Sequence, residues 1–583
     1  MGREIQKSKS EIQNPKSEIR RPKRGSVRVA VMVLAAVLGV QGCVMGGGPL
    51  DLPAPIPTPT FLPALPTATL TPTPVPEGVW VEPGVPQAVQ DNLAPLWESG
   101  SFAPVESAAE STVRLVLSPG PEALLTTRQV LVPVGPFPTV PDDLSWEAFG
   151  RYWGGDPNAL ADFGVPRLVL TQDAFEWLVA RLGPPSSAIP IEIQPSDMLL
   201  TRAWESRPAL SIVSFDRLDP RWKVLTLDGQ SALDRAMNTD VYPLSVDVGL
   251  VGESAAAARA ADLLTQAGTW QPTNRDPTRI TTVVVTGVTA LARATATQME
   301  RNGLTFPADE IRPFLADADI LHTSNEVSFA DDCPEPEPIG DPTFCSQPEY
   351  LTLLLDIGLD VVELTGNHIN DWGTDAFDNT LDLYDANDII YYGGGRDFTD
   401  ATEPAIVTAP TGLRIAFIGC NSVGPPYAWA TAETPGAAPC DDWSGITGQI
   451  RALRESGEAD VIIATLQYVE LDRYDPSPQQ IVDFQRLADA GADIVSGSQA
   501  HQPQGFAITA DTFIHYGVGN LFFDQMDRVE NRQMFADKYI FYDNRLISTV
   551  LFTGMMEYWS QPRPMTPAER ADFLQTIFTA SGW

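Results

Sequence analysis

Basic residues are scarce in this chain: 38 Lys and Arg stand against 75 Asp and Glu, a formal net charge of -37. That balance argues against nucleic acid as a partner, because the phosphate backbone would be repelled. An anionic polymer would be repelled likewise unless a local basic pocket or a metal intervened. Long apolar runs are missing too. The longest near the start, residues 29–40, is too short to span a bilayer comfortably. Only five cysteines occur, and none are spaced as CxxC, so neither a zinc knuckle nor a dithiol redox centre is suggested. Histidine is rarer still. His322, His368, His501 and His515 are the whole set, all in the second half, and three of them follow or lie within apolar runs.

At 583 residues the chain exceeds one core and is expected to form two globular domains or more. Its 43% hydrophobic and 19% charged content is ordinary for soluble globular protein. Arg20, Arg21, Lys23, Arg24 and Arg28 precede the apolar run, which closes on Val40-Gln41-Gly42-Cys43. A basic region, a short apolar stretch and a small residue before cysteine resemble a bacterial lipoprotein signal. The resemblance implies that residues 1–43 direct export and that Cys43 is lipidated, anchoring the mature chain to the membrane. An ordinary signal peptide or an uncleaved anchor are the alternatives, and each leaves the bulk of the chain outside the cytoplasm. Residues 44–76, rich in Pro and Thr, read as an extended tether. In an oxidising compartment the remaining cysteines, Cys333, Cys345, Cys420 and Cys440, allow three disulfide connectivities, of which pairing sequence neighbours is the simplest.

Residues 77–275 alternate strand-like runs (112–117, 129–134, 167–170, 210–212, 224–227) with helical ones (173–182, 254–267), a smaller α/β domain. The stretch from Val132-Pro133-Val134 through Trp146 to Trp153-Gly154-Gly155, with Tyr242-Pro243-Leu244-Ser245 later, is similar to phosphate-type periplasmic solute-binding proteins. No Gly/Ser/Thr loop at a helix start offers to cradle an anion. A solute-binding-like domain with a lost or different ligand is one reading, and an unrelated α/β spacer the other.

Residues 279–583 form the second domain. Strands are expected at 281–285, ending at Thr286-Gly287, and at 320–322, 461–466 and 494–497, with a hairpin across Pro410-Thr411-Gly412. Ser346 with Glu349 reads as a capping box, Thr374 as a cap, and Ser477-Pro478 and Thr566-Pro567 as helix starts. Between a buried strand and a helix lies Thr365-Gly366-Asn367-His368-Ile369-Asn370-Asp371-Trp372-Gly373. Asn367 and His368 thus occupy a loop beyond the carboxyl end of a strand, where α/β folds place their chemistry. An Asn can offer an amide oxygen to a metal, and a His an imidazole to a phosphoryl or carbonyl oxygen. The alternative is a turn in which Asn caps and His is merely exposed.

The motif order over 279–526 resembles the CapA family, the poly-gamma-glutamate capsule biosynthesis proteins, which are related to calcineurin-like metallophosphoesterases. Asn325-Glu326 fits a strand-end segment. Asn367, His368, Asp371 and Gly373 fit "NNH-x-x-D-x-G", with Gly366 in place of the first Asn. His501 fits the last His of "G-H-H-P-H", and Gly519-Asn520-Leu521-Phe522-Phe523-Asp524-Gln525 fits "G-N-F-x-F-D-Q". Three positions depart. Val288 stands where the family's opening segment has Asp, Gln467 where "H-W-G-x-E" has His, and Gln499 where the loop of His501 has another.

The resemblance implies a metallophosphoesterase-like α/β sandwich behind the smaller α/β domain. It implies a cell-surface role in synthesis, retention or export of a capsule polymer, with the polymer or its synthesis machinery as partner. Glu326, Asn367 and His501 would be the metal ligands, and His368, with Asn367, the catalytic pair. With Val288, Gln467 and Gln499 in ligand positions, the expectation is a degenerate centre holding one divalent ion (Mn, Zn or Fe) weakly or none, and a binding or scaffolding function. A metal-dependent hydrolase of phosphoester or amide bonds is the alternative. His368 either donates to a transition-state oxygen or is held structurally by Asp371. Arg293 is expected to pair with Glu326 or Asp524, Asn520 and Asp524 to pin the loop that follows their strand, and His322 and His515 to be core histidines.

Overall fold

A computed structural model of the chain describes residues 75–339, 344–441 and 443–583. The expected signal, Cys43 and all but the last two residues of the tether lie outside the described residues. Disulfides join Cys333 to Cys345 and Cys420 to Cys440, the sequence-neighbour pairing.

Residues 77–275 build a first lobe on a mixed sheet, nine-stranded among the described residues, centred on Leu125–Pro136 and Ser245–Val251. The long strand Leu125–Pro136 overruns its expected ends because Leu131 to Val134 are buried without interruption, so no turn breaks it. The run 224–227 is two strands, not one. Trp222–Val224 pairs with Leu125–Pro136, and Thr226–Leu227 with Asp143–Leu144, the chain changing partners at buried Leu225. Amphipathic helices Trp146–Trp153, Gln172–Leu182, Ser196–Glu205 and Ala255–Ala267 bury their apolar stripes in the lobe's core.

Residues from 280 onward form two further large sheets among those described. One runs Ile390–Tyr392, Val361–Glu363, Ile320–Asn325, Ile280–Thr289, Gln533–Tyr542, Arg545–Glu557, Gln561–Pro564. The other runs Ala405–Thr408, Arg414–Asn421, Val461–Gln467, Ile494–Gly497, Phe513–His515, Phe506–Ile508. Strand alternation decides what each face meets. Val283, Val285 and Val361 of the first sheet share a core with Ile415, Phe417 and Ile463 of the second. Their neighbours Val284, Leu321 and Val362 pack instead on helical Met299, Leu353 and Leu381, and Ile462, Ala464 and Val495 on Ile450, Phe484 and Leu487. The result is a helix–sheet–sheet–helix sandwich, an α/β architecture. The parallel strands Ile320–Asn325, Val361–Glu363, Val461–Gln467 and Ile494–Gly497 deliver their carboxyl ends to the site.

Local expectations hold where a short-range hydrogen bond decides them. Capping boxes form at Ser477 with Gln480 and at Thr566 with Glu569. Three expectations fail for long-range reasons. The strand expected to end at Thr286-Gly287 continues to Thr289, because Gly287 passes against the backbone of Gly519; a Cβ at Gly287 would lie 1.9 Å from that carbonyl oxygen. Ser346 caps nothing, since its hydroxyl donates to the Leu291 carbonyl, and a one-turn segment Pro348–Tyr350 precedes the helix Leu351–Asp356. Thr374 lies inside its helix, with Gly373 (φ 94°) at the cap.

The first lobe and the sandwich share a seam. Ile280, Ile540, Tyr542 and Ile547 belong to the first lobe's core. Phe137 of the first lobe in turn inserts among Phe506, Phe513, Phe578 and Trp583 with ring centroids 5.5–6.1 Å apart in edge-on contacts. Asp142 accepts from Arg570, and the Arg545 guanidinium donates to the Leu218 and Asp216 carbonyls. Removing a buried aromatic costs about 3–5 kcal/mol. Phe137→Ala is therefore expected to lower the stability of the whole chain by about 3 kcal/mol in urea denaturation, with both lobes affected. A loss confined to the first lobe would show that the seam does not couple them.

Candidate functional site at the strand ends

Glu326 follows the strand Ile320–Asn325, and Asn367 the strand Val361–Glu363. Gln467 is the last residue of a strand in the facing sheet. All three meet. Gln467 Nε2 donates to Glu326 Oε1 at 2.9 Å and to Asn367 Oδ1 at 3.0 Å. Glu326 and Gln467 are buried. A carboxylate only accepts, so the amide nitrogen must face it, and Gln467 Oε1 points away to the Ser498 hydroxyl at 3.3 Å. Gly366 makes the convergence possible: a Cβ there would stand 2.7 Å from Glu326 Cα, so the Asn of the related motif would not fit without a shift.

His368 lies at the same end. Its Nδ1 donates to Asp371 Oδ2 at 2.7 Å, which fixes the tautomer and leaves Nε2 as the free nitrogen. Asp371 also accepts from the Phe344 backbone N–H at 3.1 Å and the Tyr427 hydroxyl at 3.0 Å, so it is held by three segments. Burial pulls the His368 imidazole down, but the hydrogen bond to Asp371 and the negative charges of Glu326 and Asp371 outweigh it and raise its pKa, with Arg293 opposing. The second of the two expectations for His368, a hydrogen bond to Asp371, is thus present.

His501 has partners of its own. Its Nδ1 is 2.7 Å from Asn520 Oδ1, and its ring stacks on Phe523 at 5.1 Å. Phe344 lies 4.4 Å from the His368 ring and 6.5 Å from Phe523. Arg293 spreads over both phenyl rings and pairs with Asp524, one of its two expected partners. Val288, Ala290, Ala292, Val327, Phe344 and Phe523 form one apolar cluster. Each imidazole thus touches a phenyl ring of this cluster, to which Val288 also belongs. Gln499 is buried with Oε1 unpartnered. Among the described residues no group of three or more His, Cys, Asp or Glu is placed to hold a metal ion. Asn520 also donates to the Asn531 carbonyl and Asp524 accepts from the Ala294 N–H, so both tie down loops. His322 and His515 are core residues. His322 Nε2 is 2.8 Å from the Tyr392 hydroxyl and burial drives its pKa down to about 3, while His515 Nδ1 donates to Asp537 at 2.5 Å.

Glu363 was not singled out from the sequence, yet it is fully buried beneath the site. Cross-strand pairing sets Val288, Ser324, Glu363 and Tyr392 in one row. Glu363 Oε1 accepts from Ser498 at 2.8 Å and Thr365 at 2.5 Å, while Oε2 is unpartnered. Burial pushes this carboxyl up to about 7; hydrogen bonds from Thr365, Ser498 and Thr465 oppose the rise, and the charge of Glu326 adds to it. A carboxylate inside the apolar run Val361-Val362-Glu363-Leu364 was the available signal.

A separate cleft of about 1060 Å³ opens in the first lobe, lined by Gln90, Thr171, Trp177, Ser196, Trp222 and neighbouring side chains. Its two arginines are both engaged, Arg217 with Asp91 at 3.1 Å and Arg221 with Asp219 at 2.7 Å.

Because the folded Glu363 holds its proton where an unfolded carboxyl has lost it, stability should fall as pH rises from the ordinary 4.5 towards 7. Glu363→Gln should remove that slope, so that variant and wild type diverge by roughly 2–3 kcal/mol in the variant's favour by pH 8. Parallel denaturation curves across pH 4.5 to 8 check this, and an unchanged difference would contradict it.

Comparison with known proteins finds a match over these residues. Residues 282–525 match the family model described as bacterial capsule synthesis protein PGA_cap. The capsule biosynthesis protein CapA of Bacillus anthracis is 25% identical over 248 residues, spanning 42% of this chain and 60% of the relative. The PGA biosynthesis protein CapA of Bacillus subtilis (strain 168) is 27% identical over 177 residues, spanning 30% of this chain and 46% of the relative. The chain thus spans about half the length of the curated relatives it matches. Among solved structures, an ABC-type phosphate transport receptor from Vibrio cholerae aligns with 12% identity and TM-score 0.27 over 33% of this chain and 96% of its own. The 5'-nucleotidase of Candida albicans SC5314 aligns with 10% identity and TM-score 0.27 over 52% of this chain and 57% of its own. The strand-end loops that bring Glu326, Asn367 and Gln467 together all fall within the stretch 282–525, which matches the bacterial capsule synthesis family model and is similar to the CapA proteins.

Proposed function

We propose that this is an extracytoplasmic CapA-type protein that acts in capsule polymer synthesis, retention or export by binding or scaffolding, on a metallophosphoesterase-like sandwich whose metal centre has degenerated. The observation that carries the reading is the Gln467 amide. Its N–H₂ group hydrogen-bonds both Glu326 and Asn367, occupying with a neutral donor the place between two oxygens that a cation would take. A dinuclear site holds its ions roughly 3.5–4 Å apart among several carboxylates and imidazoles. Here the position of one carboxylate is Val288 in an apolar cluster, and an amide, Gln467, stands where an imidazole is expected. These residues do not fit a metal pair. The unpartnered Gln499 oxygen is a weak neutral donor, suited at most to one loosely held ion.

The two disulfides favour an oxidising compartment, in keeping with export and with an anchor at Cys43. At a net charge of -37 the chain would be repelled by a polyglutamate strand, so contact with the synthesis machinery is the better-supported partnership and nucleic acid is disfavoured.

Elemental analysis of the purified chain should find Mn, Zn and Fe well below one per molecule, with no turnover of chromogenic phosphoesters or polyglutamate. Restoring the family's residues in Val288→Asp/Gln467→His/Gln499→His should raise retained metal. Stoichiometric metal in the wild type, with turnover abolished by His368→Ala, would instead establish the hydrolase of phosphoester or amide bonds. The Asp371–His368 pair is the feature that reading would use.

The first-lobe cleft supports a second, separable reading, solute capture. With Arg217 and Arg221 committed to carboxylates, a neutral or cationic solute suits it better than an oxyanion. A ligand-dependent thermal shift of the full chain in a screen of amino acids, amines and anions should reveal such a solute, and silence across the screen would count against capture.

A further inference from the structure

Both disulfides close stretches that reach the same carboxylate. Phe344, whose N–H donates to Asp371 Oδ2 at 3.1 Å, immediately precedes Cys345 of the first bridge. Tyr427, whose hydroxyl donates to Asp371 Oδ1 at 3.0 Å, lies inside the stretch closed by Cys420–Cys440. The third donor is His368 itself. The Asp371 side chain is only 4% exposed, and a carboxylate so buried is costly to leave without donors.

The second stretch does more than reach Asp371. Asn421, fully buried at the end of the strand Arg414–Asn421, donates from Nδ2 to the Thr365 carbonyl at 2.8 Å. Asn370 in turn donates to the Tyr427 and Pro435 carbonyls at 3.0 and 3.1 Å. With the Tyr427 hydroxyl, four hydrogen bonds join residues 421–435 to residues 365–371, and they span the Asn367-His368 loop from one end to the other. Regular structure in the stretch is slight: one turn at Pro426–Ala428 and the two-residue strand Gly436–Ala437. Its course is set at the base. There Asn421 Oδ1 accepts from the Val423 and Gly424 N–H groups and the Trp429 ring, and both cysteines of the bridge are buried.

We infer that the stretch closed by Cys420–Cys440 is a clamp that positions His368, with Asn370, Tyr427 and the bridge as positioning groups acting through Asp371. Closing the base restricts where the Tyr427 hydroxyl and the Pro435 carbonyl can stand. That fixes Asp371, and Asp371 keeps the imidazole proton on Nδ1. Nε2 is thereby reserved as an acceptor and aimed by contacts from outside its own loop. With the stretch opened, the imidazole is free to turn or to exchange tautomers. Such presentation of Nε2 serves a binding site and a hydrolase alike.

The tautomer is read from two-bond 1H–15N correlation spectra of the histidine side chains, recorded on the full chain at a pH where His368 is neutral. His368→Gln assigns its signal. His322, His501 and His515, held by Tyr392, Asn520 and Asp537, are internal controls. In the wild type His368 should show the Nδ1–H form in about tenfold excess or more. Cys420→Ala/Cys440→Ala and, separately, Tyr427→Phe should each cut that excess about threefold or more, with the control signals unmoved. Tyr427 is 60% exposed, so its variant loses little but the hydroxyl and decides the matter if the cysteine variant fails to fold. A wild-type His368 without tautomer preference, an unchanged excess in either folded variant, or equal displacement of all four histidines would each overturn the clamp.

Discussion

Two acceptors, Glu326 Oε1 and Asn367 Oδ1, stand at the end of one sheet, and a single amide nitrogen from the facing sheet holds both. The strand ends of the sandwich come together around that contact. Glu326 is buried, and a buried carboxylate must be paired or lose its charge. A metal ion would meet this demand with full charge. Gln467 meets it with hydrogen bonds to a charged group, which are stronger than neutral ones. Gln467 thus holds the two oxygens together without bringing a full positive charge. Beneath it, Glu363 keeps its proton near neutrality, which limits how much negative charge the strand ends gather.

The neighbouring hollow shows the same logic in apolar form. Val288 joins Phe344 and Phe523, and Arg293 lies across both rings while Asp524 neutralises it. A guanidinium stacked on aromatic faces is at home in such surroundings. His368 is oriented nearby by Asp371 through Nδ1.

The seam between the lobes gives the molecule its second set of constraints. Phe137 penetrates an aromatic nest in the sandwich, and Tyr542 of the sandwich packs edge-on against Phe215 of the lobe at 5.2 Å. Reciprocal insertion of this kind resists sliding more than a flat interface would. It also leaves space where the two surfaces curve apart, along the strand 545–557. The lobes remain distinct in strand pairing, each with its own large sheets, and are continuous in packing.

The sequence alone determined the features set by near neighbours or by residue type. The capping boxes at Ser477 and Thr566, the strands 167–170 and 494–497, and the Asn367-His368 loop could all be read, because turn chemistry and apolar periodicity act within a few residues, whereas the structure chose among the three disulfide connectivities that the sequence left open. Val288, Gln467 and Gln499 stood out in the sequence once the motif order was compared. Only the tertiary structure decided what surrounds them. That Gln467 would reach Glu326 and Asn367 depends on two sheets meeting at their carboxyl ends, with the partners 141 and 100 residues away in sequence. Ser346 was diverted from capping by the Leu291 carbonyl, and the strand at Gly287 was prolonged by Gly519, both contacts between distant segments. Glu363 looked like one charge in an apolar strand, and its proton affinity arises from burial under strands that the local sequence does not contain. Residue type supplies the donors and acceptors, and packing alone determines which of them meet without water.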